Sequence, residues 1–177
     1  SMEDYLEGKV GVVNSILNDV SFTDFANTVE EFKNGANAGL AQQSYNLWKE
    51  QRWGELEQLF TAHNFNGGWP PYGGAISAQN TSLQVGKEFD RFGGWIDNSG
   101  FHDNGFFASP RDVPFEQRAL PQSSLSKPHK KYRVLISFEV EEGQAIPWFN
   151  QPGMGTQYKF SETIDKLKQN GFIEEIQ

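Results

Sequence analysis

The chain has 177 residues, enough for one domain of ordinary size with room for an appendage. Lys plus Arg number 15 against 23 Asp plus Glu, a net charge of -8, which excludes a general nucleic-acid binder because phosphate contacts need clustered cations. Cysteine is absent, and disulfides, thiolate zinc sites and cysteine nucleophiles are excluded with it. No apolar run reaches the roughly 20 residues of a membrane helix, so no membrane insertion is expected. No charged-apolar-small leader opens the chain, so a signal peptide is not expected either. Ser1 ahead of Met2 reads as the remnant of a tag, on a chain cut from something longer. His63, His102 and His129 are far apart and match no metal spacing, so no metal is expected. Aromatic residues make up 14% of the chain, beside 18 Gly and 8 Pro, a mix that suits a turn-rich β or α+β domain rather than a disordered one.

The first sixty residues carry helical periodicity. Phe22, Phe25, Val29 and Phe32 fall on one helical face, with Ser21 or Thr23 as cap and Gly35 as stop. A second helix is predicted from Ala38 to Glu50, and a third from Trp53 with Leu56, Leu59 and Phe60 inward. Residues 1–62 therefore read as a helical N-terminal extension or linker. At His63 the texture changes, because Asn64 to Gly74 (NFNGGWPPYGG) is all turn chemistry, and a second domain is expected over 63–177.

Leu83 to Phe89 and Gly105 to Ser109 are candidate strands. The loop between them, DNSGFHDNG, lacks the ligand order of a calcium hand and reads as a surface insertion. The clearest alternation runs from Lys131 to Val140 and predicts a single strand with Tyr132, Val134, Ile136, Phe138 and Val140 on one face. Ile146 to Phe149, interrupted by Pro147, reads as an edge segment. Thr156 to Phe160 is a further strand. Ser161 can cap a short helix with Ile164 and Leu167 inward, ended by Gly171, and Phe172 to Ile176 closes the chain. Strands with few helices between them predict an α+β fold with a small antiparallel or mixed sheet, not a doubly wound one.

Several reaction classes leave no trace. There is no G-x-S-x-G, no Walker A, no G-x-G-x-x-G after a strand and no H-E-x-x-H. Glu139 and Glu141 share one strand face, by default a solvated one. What remains is a set of polar residues inside apolar or glycine-rich segments. Arg91 stands between Phe89 and Phe92 in Asp90-Arg91-Phe92-Gly93. Arg118 stands in Gln117-Arg118-Ala119-Leu120-Pro121. Gln157 follows Gln151-Pro152-Gly153-Met154-Gly155-Thr156, a glycine turn that lets backbone approach a ligand closely.

Taken in order, these segments resemble the TNT family, named for the tuberculosis necrotizing toxin. The residues that carry the resemblance are Trp69-Pro70-Pro71, Asp90-Arg91-Phe92-Gly93, Ser109-Pro110, Arg118-Ala119-Leu120-Pro121 and His129 to Tyr132. The most specific block is PWFNQPGMGTQY, from Pro147 to Tyr158, and Gly171-Phe172 ends the match. The likeness covers about Asn66 to Ile176 and leaves the first sixty residues outside. It implies a compact fold related to ADP-ribosyltransferases and a metal-free NAD glycohydrolase, which cleaves NAD and NADP to nicotinamide and ADP-ribose. It also implies a secreted or contact-delivered toxin acting in the cytosol of a target cell, with a cognate immunity protein where the producer is bacterial. By position, Gln157 resembles the family's catalytic glutamine, Arg91 its DRFG arginine, Arg118 its R-x-L-P arginine and His129 its histidine. Gln157, Arg91 and Arg118 are the catalytic candidates that the resemblance implies, and His129, Phe92, Phe107 and Gly155 are substrate-binding candidates.

The chain departs from the family in places. Where the family often reads P-P-N-D-G-F, this chain has Pro70-Pro71-Tyr72-Gly73-Gly74-Ala75, so Tyr72 or Trp69 takes up the stacking on substrate. Met154 stands for the middle glycine of a G-G-G, Phe107 stands where a tyrosine would offer a hydroxyl, and the loop Ile96 to Asn104 is long. Two other readings compete. Glu139-Val140-Glu141 spells the E-x-E of protein ADP-ribosyltransferases, and a non-enzymatic delivery or binding module is the third.

Overall fold

Among the described residues, the helix that follows Ser21 is fixed by its cap. The Asp24 amide donates to Ser21 Oγ at 3.0 Å, and α1 runs over Phe22–Ala26. The structure, a computed structural model, describes residues 19–177. Ser1, Met2 and the start of the expected extension lie outside the described residues. The predicted helical face is divided: after α1 the chain continues as a 3-10 turn over Glu30–Gly35. Phe25, Val29 and Phe32 are buried all the same, so their spacing marks core rather than one continuous helix. α2 (Ala38–Lys49) and α3 (Trp53–His63) form where the pattern places them.

Described residues up to Ser77 pack as one compact unit together with Ile146–Trp148. Aromatic rings build its interior. Phe25 meets Trp48 at 5.2 Å between centroids, Phe32 meets Phe65 at 4.9 Å, and Phe60 meets Trp148 edge-on at 5.8 Å. The Trp148 indole N–H donates to the Gly68 carbonyl at 2.8 Å.

The second unit comprises Ala78–Ala145 and Phe149–Gln177. Its strands are β1 (Ala75–Leu83, which starts just ahead of it), β2 (Glu88–Phe92), β5 (Phe107–Pro110), β6 (His129–Val134), β7 (Phe138–Ala145), β8 (Thr156–Lys159) and β9 (Ile173–Ile176). Among the described residues these form one seven-stranded sheet in the order β1-β7-β8-β5-β2-β6-β9. The pairs β7–β8, β8–β5, β5–β2, β2–β6 and β6–β9 are all antiparallel. Phe89, Ala108, Tyr132, Val140 and Tyr158 bury one side of the sheet against Ile164 and Leu167 of α4 (Ile164–Gln169). This α+β architecture, with helices in the N-terminal part and an antiparallel sheet, is the expected class.

Four local expectations are corrected. Leu83 to Phe89 is not one strand: Leu83 ends β1, Glu88 and Phe89 open β2, and residues 84–87 turn between them, closed where Lys87 N–H donates to Gln84 O, with Gly86 at φ +92°. Lys131 to Val140 is not one strand but two. β6 sits between β2 and β9, β7 between β1 and β8, so the chain must cross the sheet. It leaves the ladder at Leu135 and Ile136, whose amides both donate to Phe172 O and whose side chains are exposed. Thr163, not Ser161, caps the last helix, its Oγ accepting the Lys166 amide at 3.2 Å. The expected plain insertion is a hairpin of β3 (Trp95–Asp97) and β4 (Gly100–His102).

Candidate functional site

Strand alternation sorts the candidates onto two faces. Phe89, Ala108, Tyr132 and Tyr158 belong to the buried side shared with α4. Their neighbours in sequence therefore point the other way: Asp90 on β2, Phe107 and Ser109 on β5, His129 and Lys131 on β6, Gln157 on β8. Phe92 stands opposite His129 in the β2–β6 register. Gln157, Phe107, Phe92 and His129 thus share one face of the sheet. Arg91 has the parity of Phe89 and falls on the other.

A buried ionic chain underlies the first face. Arg118 ends a 3-10 turn (Phe115–Arg118), and its side chain is only 4% exposed. Its Nη2 lies 2.6 Å from Asp90 Oδ1, and Asp90 Oδ2 lies 2.6 Å from His129 Nε2. Arg118 also donates from Nε and Nη2 to the Val113 carbonyl at 3.1 and 2.8 Å, and from Nη1 to Asp90 O. Its guanidinium carbon stands 5.2 Å from the centre of the Phe92 ring, and Phe115 meets that ring edge-on. The His129 ring stacks on Phe92 and is 38% exposed.

Arg91 has its own setting. Nε donates to Asp103 Oδ2 at 2.7 Å and Nη1 donates to the Phe107 carbonyl at 2.9 Å. Asp103 is buried and accepts the Gly105 amide on its other oxygen. A Cβ on Gly93 or Gly105 would run into the guanidinium, so both glycines make room for it. Tyr132 is buried on this side. Burial first, and the Asp103 charge next, push its phenol well above its ordinary range, so it stays neutral.

The glycine turn makes its close approach to protein. Gly155 N–H donates to Gln117 O at 2.8 Å, Gly153 N–H to Glu116 O at 3.0 Å, and a Cβ on Gly155 would strike Val113. Gly155 thereby seats the segment that carries Arg118. Met154 takes the left-handed conformation of a glycine, φ +70°, at a cost of about 1–2 kcal/mol. Trp69 and Tyr72 belong to the first unit. There Tyr72 packs its ring on Trp48 and donates its amide to Thr28 Oγ1.

Two carboxylates that pair with the candidates, Asp90 and Asp103, are not among the residues singled out from the sequence, although Asp90 opens the Asp90-Arg91-Phe92-Gly93 motif. For Asp90 a signal exists: a carboxylate in mid-strand beside Phe89, with Phe92 two residues on, is rarely buried unless it is paired. Asp103, in a polar loop, carries none. Glu139 and Glu141 lie on β7 and line a groove of about 550 Å³ with Asn80, Lys159 and Phe106. Among the described residues no group of three His, Asp or Glu is placed to hold a metal ion, and no helix is long and apolar enough to cross a membrane.

An antiparallel sheet that buries one side under a short helix, and sets aromatic, glutamine and histidine side chains on the other over a buried ion pair, defines a small α+β domain with a polar-aromatic site. Residues 82–176, just over half of the chain, match the family described as tuberculosis necrotizing toxin. The chain belongs to that family. It is 33% identical over 104 residues to the conidial surface nicotinamide adenine dinucleotide glycohydrolase of Aspergillus fumigatus, an alignment covering 55% of this chain and 41% of that protein. The chain thus spans about two fifths of the length of that relative. The tuberculosis necrotizing toxin, solved with its immunity factor, shares the fold at a TM-score of 0.50 and 23% identity, over 60% of each chain.

Proposed function

We propose that residues 63–177 form an NAD glycohydrolase toxin domain that uses water to split the nicotinamide–ribose bond, releasing nicotinamide, ADP-ribose and a proton. The observation that carries this reading is the likeness to a protein named an NAD glycohydrolase, in a chain whose family match spans Arg91, Phe92, Phe107, Arg118, His129 and Gln157. NADP is read as a second substrate, and no metal is given a part.

The chemistry suits such a face. The nicotinamide of NAD is already a pyridinium and leaves neutral, so the usual acid that protonates a glycosidic oxygen is not needed. What the site must supply is orientation and stabilisation of an oxocarbenium-like ribose. We assign Gln157 to orient the attacking water or a ribose hydroxyl through its amide. Phe92 and Phe107 offer ring faces for stacking. Arg91 lies on the opposite side of the sheet, paired with Asp103, and we give it a supporting role through its bond to the Phe107 carbonyl rather than a contact with the pyrophosphate. Arg118 is buried, and we give it a supporting role beneath the face that carries Gln157.

Delivery outside the producing cell, action in the cytosol of a target cell and a protective immunity partner belong to the same reading. They are supported by relatives named a necrotizing toxin, solved with its immunity factor, and a conidial surface enzyme.

The test is release of nicotinamide from NAD by the purified chain, beside Gln157→Ala checked for folding. Rapid release that the variant loses is expected. No release from folded wild type would overturn the reading and direct attention to ADP-ribose transfer onto protein, with Glu141→Ala as control.

A further inference from the structure

We propose that Asp90 is a positioning residue that fixes the orientation and tautomer of His129, and that Arg118 acts in the site through Asp90 rather than by touching substrate. The use made of His129 rests on the NAD-cleaving reading, whereas the positioning itself rests on geometry alone.

Asp90 is a carboxylate with 4% of its side chain exposed, and each oxygen faces a nitrogen at 2.6 Å: Oδ1 forms an ion pair with Arg118 Nη2, and Oδ2 meets His129 Nε2. A carboxylate accepts only, so the ring nitrogen that meets it must carry the proton. In neutral His129 the proton then sits on Nε2, and Nδ1 holds the lone pair. Phe92 fixes the plane of the ring, lying 4.1 Å away and 4° from parallel. Asp90 fixes its rotation within that plane. The ring reaches the surface of the sheet face shared with Gln157 and Phe107, so its lone pair is available to a water or a ribose hydroxyl.

Arg118 explains how a carboxylate persists in this setting. Its guanidinium donates to Val113 O and Asp90 O, and its Nη2 stands at ion-pair distance from Asp90 Oδ1, on a side chain only 4% exposed. Taken together, the Arg118–Asp90–His129 order is that of a buried cation, a relay carboxylate and a surface imidazole.

Two measurements test this. Long-range proton–nitrogen NMR of the wild-type chain without NAD, at a pH where the ring is neutral, reads the His129 tautomer directly. Protonation of Nε2 is expected, and protonation of Nδ1 overturns the proposal, whether or not the chain cleaves NAD. Kinetics then compare Asp90→Asn, His129→Ala and the double variant, each checked for folding by the dispersion of its NMR spectrum. Each single change is expected to lower kcat by about 100-fold with little change in KM, and the double variant should fall no further than His129→Ala. A double variant that loses the product of the two effects shows Asp90 acting independently and overturns the proposal. If Asp90→Asn does not fold, the wild-type tautomer still decides the question.

Discussion

The imidazole of His129 lies flat on the ring of Phe92, with centroids 4.1 Å apart and planes only 4° from parallel. The same Phe92 ring takes the edge of Phe115 and stands 5.2 Å from the Arg118 guanidinium carbon. One aromatic therefore packs against both a surface imidazole and a buried cation. Phe92→Leu keeps apolar volume but removes the flat ring. It is expected to cost about 0.5–1.5 kcal/mol of stability, by urea unfolding. It should lower the rate of nicotinamide release far more than that loss explains, and an unchanged rate would show that ring stacking does not matter to the site.

The Arg118–Asp90 pair is almost wholly removed from water, so breaking it on one side should be severe. Arg118→Met leaves a buried carboxylate uncompensated and is expected to lose about 3–5 kcal/mol. Arg118→Met combined with Asp90→Leu removes both charges and should recover most of that stability while leaving activity low. Chemical denaturation of the two variants measures the difference. Equal losses in single and double variants would mean that packing, not charge, dominates at this position.

Gly105 leaves the space that the Arg91 guanidinium fills. Gly105→Ala is expected to displace Arg91 from Asp103 and the Phe107 carbonyl, at a cost of about 1–3 kcal/mol in unfolding free energy. In an Arg91→Ala background the same change should cost much less, because the space is then empty. Additive losses would place the effect of Gly105 in its backbone rather than in the arginine.

The β3–β4 hairpin carries an acid-sensitive cluster. Asp97 Oδ1 accepts the Ser99 hydroxyl at 2.7 Å, the Ser99 amide at 2.9 Å and His102 Nε2 at 2.9 Å. These bonds, those of Ser99 above all, hold its carboxyl down from an ordinary 3.8 to about 2. A depressed folded value means that the contribution is complete above about pH 4 and is lost as pH falls through about 2. Titration of the Asp97 carboxyl carbon by NMR should show a midpoint near 2, moving up in Ser99→Ala. A wild-type midpoint at the ordinary value would refute the arrangement.

The residue pattern by itself determined the helices at Ala38–Lys49 and Trp53–His63, the α+β class and the family, because caps, apolar spacing and short motifs are local properties. It named Arg91, Arg118, His129 and Gln157 through motif likeness. The tertiary structure alone decided how they are arranged. Alternation within β2 sends Asp90 and Phe92 to one face and Arg91 to the other, and only the pairing of β2 with β6 brings His129 onto Asp90. The long alternating run around Leu135 misled for a related reason: period-2 burial is the same whether one strand continues or two strands in different parts of a sheet share the pattern. Whether a strand continues depends on which neighbour takes its next amide, and at Leu135 that neighbour is Phe172, 37 residues further along the chain by its number. The need for paired charge was likewise invisible locally. Asp90 is tolerable as a buried carboxylate because Arg118, carried on a distant 3-10 turn seated by Gly155, arrives to neutralise it.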